Sequence, residues 1–112
     1  MIHIAVCDDQ QNDREYIILL VNHFFETSDF DVEIVAFESG QKLIEHCQTK
    51  PLDMVFLDIY LVDENGIEVA KKLREISSDC LLIFTTQSHA DFHFVICNAK
   101  SRFANARHGT CR

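Results

Sequence analysis

Short runs of branched apolar residues alternate along the chain with stretches in which apolar positions recur every three to four residues. The first run, Ile2-His-Ile-Ala-Val-Cys7, predicts a strand that stops at Asp8-Asp9. Tyr16, Ile17, Leu19, Leu20, Phe24 and Phe25 then follow helical spacing and predict a helix from Asn12 to about Thr27, with Asp13 and Glu15 near the positive end of its dipole. A turn at Ser28-Asp29 leads into a second strand, Val32–Phe37. Ser39 is placed to cap a helix from about Gly40 to Gln48, with Leu43, Ile44 and Cys47 facing inward. Asp53-Met-Val-Phe-Leu-Asp58 is a short apolar run that suits a strand covered on both faces or a buried helix, and the flanks, Pro51 before it and a polar loop with Asn65-Gly66 after it, favour the strand. Ile67, Val69, Ala70, Leu73 and Ile76 predict a third helix, ended by Ser77-Ser78-Asp79. Leu81-Leu-Ile-Phe84 predicts a fourth strand closing on Thr85-Thr86.

Strands alternating with helices in this way imply right-handed βαβ units and a parallel sheet with helices on both faces. In such sheets ligands bind beyond the carboxyl ends of the strands. Asp8, Asp9, Asp58 and Thr85 all fall at those ends. With 112 residues the chain has room for one core, assigned to residues 1–91, with residues 92–112 as a tail of different character. The charge pattern draws that line. The net charge is −8, yet every acid lies at or before Asp91, so residues 1–91 carry eighteen acids against six lysines and arginines, and the tail is basic and acid-free. Overall acidity argues against direct nucleic-acid binding by this domain. No apolar run approaches the ~18 residues of a membrane span, and Met1-Ile-His-Ile lacks the basic start of a secretory signal, so the expected location is the cytoplasm. Five cysteines without a Cys-x-x-Cys pair read as free thiols, and His89 and His93 as a solvated pair.

Three carboxylates at one sheet edge repel one another unless a cation neutralises them or one is protonated. Oxygen-only ligands favour Mg²⁺ or Mn²⁺. A metal there could hold a phosphoryl oxygen against Asp58, whose carboxylate could act as nucleophile and form an acyl phosphate. Taken singly, Asp8-Asp9 and Asp58 read as strand-end turns, and Thr85 as a β-branched strand terminus. Their joint placement at the ends of strands one, three and four is a coincidence that turns do not require.

Ile4-Ala-Val-Cys-Asp-Asp9, Met54-Val-Phe-Leu-Asp-Ile-Tyr-Leu61 with Gly66 eight residues beyond Asp58, and Leu82-Ile-Phe-Thr-Thr86 together resemble the receiver domain of two-component response regulators. The resemblance is greatest to the branch whose receivers precede a LytTR-type DNA-binding domain, and it covers residues 2–92. It implies a flavodoxin-like (CheY-like) doubly wound α/β fold. Asp58 would be the phosphoacceptor, served by a sensor histidine kinase, and Thr85 the switch hydroxyl. Mg²⁺ or Mn²⁺ would be held by Asp9, Asp58 and the backbone carbonyl of Tyr60, with Asp8 acting through water. Such a domain assists only its own phosphorylation and dephosphorylation and is not an enzyme in the ordinary sense.

Gln10, Val62 and Asn65 depart from the family pattern at loop positions. From His93 onward the family pattern is lost, a departure that a shifted reading frame in the parent gene would produce. The family's fifth strand ends in Lys-Pro, absent here, since Pro51 is the one proline. Phe92, Val95, Ile96, Ala99, Phe103 and Ala106 fall on one helical stripe, predicting a long helix from about Ala90 to about Arg107, stopped by Gly109, in place of the fifth strand. The sheet order would then be 2-1-3-4 with strand four as an edge, and a homodimer would form through that edge or the C-terminal helix. Two other functions stay open: a degenerate receiver that only mediates protein interaction, and a small Mg²⁺-dependent phosphohydrolase using Asp58. Tyr60, standing where such a hydrolase needs a second acid, speaks against the latter.

Overall fold

The computed structural model describes residues 1–88 and 91–97. Its elements are β1 (Ile2–Cys7), α1 (Gln11–Phe25), β2 (Val32–Phe37), α2 (Gly40–Cys47), β3 (Met54–Asp58), α3 (Gly66–Ile76), β4 (Leu81–Ser88) and β5 (Asp91–Cys97). They build one five-stranded sheet in the order β2-β1-β3-β4-β5. The first four strands are parallel, and β5 runs antiparallel to β4.

The two-residue period of the strands divides the core into two layers. Ala5 and Cys7 of β1, Val55 and Leu57 of β3, and Leu82 and Phe84 of β4 point toward α2 and α3, where Leu43, Val69 and Leu73 meet them. Ile4 and Val6 point the other way, onto Ile17 and Val21 of α1, with Met54 and Phe56 alongside. Full burial of a side chain such as Leu57 or Leu73 contributes about 1.5–3 kcal/mol, which explains why the run ending at Asp58 is held so firmly.

Helix α2 is capped as its sequence predicts, with Ser39 Oγ accepting the Lys42 N–H at 3.3 Å. Asn65 does the same for α3, its Oδ1 accepting the Ile67 N–H at 2.8 Å. The apolar stripe expected of α1 turns inward at Ile17 and, partly, at Phe25, with Val21 buried and Ile18 half-buried beside them, while Tyr16, Leu19, Leu20 and Phe24 are exposed. Between α1 and the sheet lies an apolar groove of about 380 Å³ lined by Leu20, Phe24, Phe56, Ile83, Phe94 and Ile96, among others.

Two expectations are overturned. Residues 91–97 form a strand, so the predicted helix from Ala90 to Arg107 does not exist over that stretch, and β4 is not an edge. Register pairs run from Ser88↔Asp91 to Leu82↔Cys97. The physical reason is that Phe92-His-Phe-Val-Ile fits a two-residue period as well as a helical one. Pairing with β4 also satisfies backbone groups that a helix would have left open on that strand. Phe94 and Ile96 accordingly line the groove, whereas Val95 packs on the opposite core. The rest of the predicted helix and its stop at Gly109 lie outside the described residues. No helix among the described residues is long and apolar enough to cross a membrane.

Candidate functional site

Each acid is delivered by the end of a buried strand. Strand β1 ends against β2, with the Asp8 N–H donating to the Phe37 carbonyl at 3.1 Å. The Asp8 side chain is 2% exposed, and its Oδ1 accepts the Gln10 N–H at 2.9 Å. Arg14 reaches only the Asp8 backbone carbonyl, at 2.8 Å. The next residue, Asp9, is half-buried and turns toward the loop after β3, where its Oδ2 accepts the Val62 N–H at 2.8 Å. Asp58 closes β3, and its Oδ1 accepts the Tyr60 N–H at 3.0 Å. Carboxylate oxygens of Asp8, Asp9 and Asp58 lie within 4.8 Å of one another.

Thr85 is the register partner of Asp58 on β4 and is 1% exposed. Its carbonyl accepts the Ile59 N–H at 3.2 Å, continuing the ladder one residue past the strand. The Tyr60 ring is exposed. The sequence-predicted positions Asp8, Asp9, Asp58 and Thr85 thus meet at one sheet edge, with Tyr60 on the adjoining loop.

The electrostatics are those of a site short of positive charge. Burial pushes the Asp8 carboxyl up to about 7, against the Gln10 N–H that favours its ionised form, and Asp58, Asp13 and Asp9 add repulsion. Burial raises Asp58 too, opposed by the Tyr60 N–H and reinforced by Asp9 and Asp13. Cys7, directly beneath on β1, is pushed up to about 12 by burial and then by Glu64. Among the described residues no lysine or arginine forms a salt bridge with Asp8, Asp9 or Asp58. Three clustered oxygen donors, one buried and held up near neutrality, fit a hard divalent cation.

Several contributors escape a sequence reading. Asp13, expected only as a helix-dipole acid, adds its charge to both Asp8 and Asp58. Val62 contributes a backbone donor, which no side-chain pattern announces. Asp63 adopts a left-handed φ of 62°, a conformation that aspartate tolerates better than most residues, in a run of Asp-Glu-Asn-Gly that does signal a turn. Gly66 is required by close approach: an added Cβ would strike the Asp58 carbonyl oxygen and lie 2.7 Å from Ile59 Cα. The antiparallel sense of β5 carries Cys97 to the side of Leu82, at the sheet end away from the acids. Residues 91–97 contain no lysine or arginine.

Comparison with known proteins gives a consistent picture. The response regulator receiver domain matches residues 4–101. The chain is 34% identical over 87 residues to the sensory transduction protein LytT of Oceanobacillus iheyensis, covering 76% of this chain and 34% of that protein. It is 35% identical over 84 residues to LytT of Enterococcus faecalis, covering 75% and 33%. Both names accord with the LytTR-type resemblance. The chain spans about a third of the length of these curated relatives. Among solved structures, the response regulator TrrA of Thermotoga maritima, in complex with Mg²⁺-BeF, superposes with a TM-score of 0.63 at 29% identity, covering 80% of this chain and 72% of that one.

Proposed function

The chain belongs to the response regulator receiver domain family, and from that premise we propose that it accepts a phosphoryl group on Asp58 from a sensor histidine kinase and relays the change to an attached transcription-regulating output domain. The observation that carries this reading is the meeting of Asp8, Asp9 and Asp58 at the ends of β1 and β3, with buried Thr85 paired beside Asp58. Asp9, Asp58 and the Tyr60 carbonyl would hold Mg²⁺ or Mn²⁺, with Asp8 acting through water. When bound, the ion supplies the positive charge that offsets the carboxylates and the incoming phosphoryl oxygens.

The chain's own residues do the rest. An oxygen of Asp58 attacks phosphorus as the P–N bond of the donor phosphohistidine breaks, and the imidazole leaves with the electron pair. The Tyr60 N–H, 3.0 Å from Asp58 Oδ1, orients the carboxylate for that attack. Thr85 stands ready to donate its hydroxyl to the transferred group. Partner contacts fall to β5, which among the described residues replaces β4 as the outermost strand on that side of the sheet, and a homodimer would use it.

Incubation with Mg²⁺ and acetyl phosphate, followed by intact mass measurement, tests the proposal. One added phosphoryl group that vanishes in Asp58→Asn is expected; no addition to the unaltered protein would overturn it. The second reading, a degenerate receiver, draws on the lack of a lysine or arginine in β5, and that negative result would favour it.

A further inference from the structure

Glu64 sits in the loop between Asp58 and α3, yet its side chain leaves that loop. Its Oε1 accepts the N–H of Gly40, the first residue of α2, at 2.7 Å. Helix α2 has no acid in its own first turn, so Glu64 brings from elsewhere in the chain the negative charge that a helix N-terminus favours. Gly40 is fitted closely to this contact: an added Cβ would strike Val69 Cγ2 and lie 3.0 Å from Glu64 Oε2. After burial, Glu64 is also the leading charge acting on Cys7, and its carboxylate is not part of the Asp8, Asp9 and Asp58 cluster.

The loop is pinned on both sides of its left-handed residue, Asp63. Before Asp63, the Val62 N–H is held by Asp9 Oδ2 and Leu61 is buried at 7% exposure. After it, Glu64 is held by Gly40. Losing the second anchor would loosen the stretch between buried Leu61 and Gly66, whose N–H stays bound to the Ile59 carbonyl at 3.0 Å.

We propose that Glu64 is a positioning residue: by gripping the Gly40 N–H it fixes the loop carrying Tyr60 and Val62, and so sets the Asp58–Tyr60 and Asp9–Val62 contacts on which the cation and the phosphoryl group depend. The link to cation uptake rests on the phosphoacceptor reading above; the link to loop order does not.

The test compares Glu64→Ala and Glu64→Gln with Ser39→Ala, which removes the other cap of α2 without touching the loop. Amide hydrogen exchange is read at Val62 in the metal-free protein, and Mg²⁺ affinity by titration of the amide spectrum. Glu64→Ala should speed Val62 exchange and weaken Mg²⁺ binding by about tenfold each, in keeping with the loss of one charged hydrogen bond. Glu64→Gln, which keeps an acceptor, should recover most of both effects, and Ser39→Ala should leave both within about twofold. An unchanged Val62 rate in Glu64→Ala would overturn the proposal, as would equal effects from Ser39→Ala. If the alanine variant does not fold, Glu64→Asp, which withdraws the carboxylate by one methylene, must itself speed Val62 exchange or the proposal fails. A wild-type protein that binds no Mg²⁺ would sink the phosphoacceptor reading alone, because Val62 exchange still decides the role of Glu64.

Discussion

Asp58 and Thr85 are direct partners across the parallel β3–β4 ladder, and the ladder continues past them through the Ile59 N–H to the Thr85 carbonyl at 3.2 Å. A change at Asp58 therefore has a covalent and hydrogen-bonded route into β4, with Thr85 buried at the paired position. Thr85→Val keeps the branched shape and removes only the hydroxyl. It should still accept a phosphoryl group on Asp58, but the accompanying amide shift changes, which should spread into β4 and β5 in the unaltered protein, should stay confined to β3 and α3. Equal spread in both proteins would show that Thr85 is no switch.

The raised Asp8 carboxyl makes stability depend on pH in a definite direction. Its folded value of about 7 exceeds its ordinary 3.8, so between those values the folded state holds more protons than the unfolded one. Metal-free stability should therefore fall as pH rises from about 4 to about 7, with the full cost present above that window. Asp8→Asn removes the charge. In chelator it should be more stable than the unaltered protein at pH 8, by up to about 4 kcal/mol, and no more stable below pH 4. Mg²⁺ should narrow the gap at pH 8 by stabilising the unaltered protein. Urea unfolding across pH, with and without Mg²⁺, measures this; a difference independent of pH would contradict it.

How far the sequence reaches depends on whether an interaction is local. The strands ending at Asp8 and Asp58 were legible because continuous apolar runs need burial on both faces, and Ser39 because a cap acts within its own helix. The α1 stripe was only half legible: spacing shows that Ile17 and Phe24 can share a side, but the sheet covers Ile17 and leaves Phe24 exposed. Residues 92–96 satisfied two periods at once, and only the available edge of β4 decided for the strand. Glu64 and Val62 act on partners 24 and 53 residues away, through contacts that no short-range pattern encodes.

Gly66 marks where α3 is pressed against the end of β3. Its N–H donates to the Ile59 carbonyl at 3.0 Å, and there is no room for a methyl group between them. The obstacle is backbone, which cannot rotate away as a flexible side chain could. Gly66→Ala should destabilise the fold by about 2–3 kcal/mol, seen as a lower urea midpoint with unchanged slope. It should also weaken the Tyr60 N–H contact with Asp58, measured as faster exchange of that amide. An unchanged midpoint would mean that α3 can shift without cost.

The position of β5 at the end of the sheet among the described residues gives the proposed homodimer a specific address. A terminal strand presents unpaired backbone donors and acceptors, and here it also exposes Ile96 at 56% and Phe94 at 43% beside the apolar groove. Phe94 already rests edge-on against Phe56 at 6.3 Å, so Ile96 is the residue with more surface to lose to a second copy. Sedimentation should show a dimer for the unaltered chain and a monomer for Ile96→Lys, because a charge on that strand opposes both edge pairing and apolar burial. Phosphorylation of Asp58 should survive the substitution, since Ile96 pairs with Ile83, two positions below Thr85 on β4. A chain that sediments as a monomer at every concentration reached would remove the dimer from the proposal while leaving the phosphoacceptor site untouched.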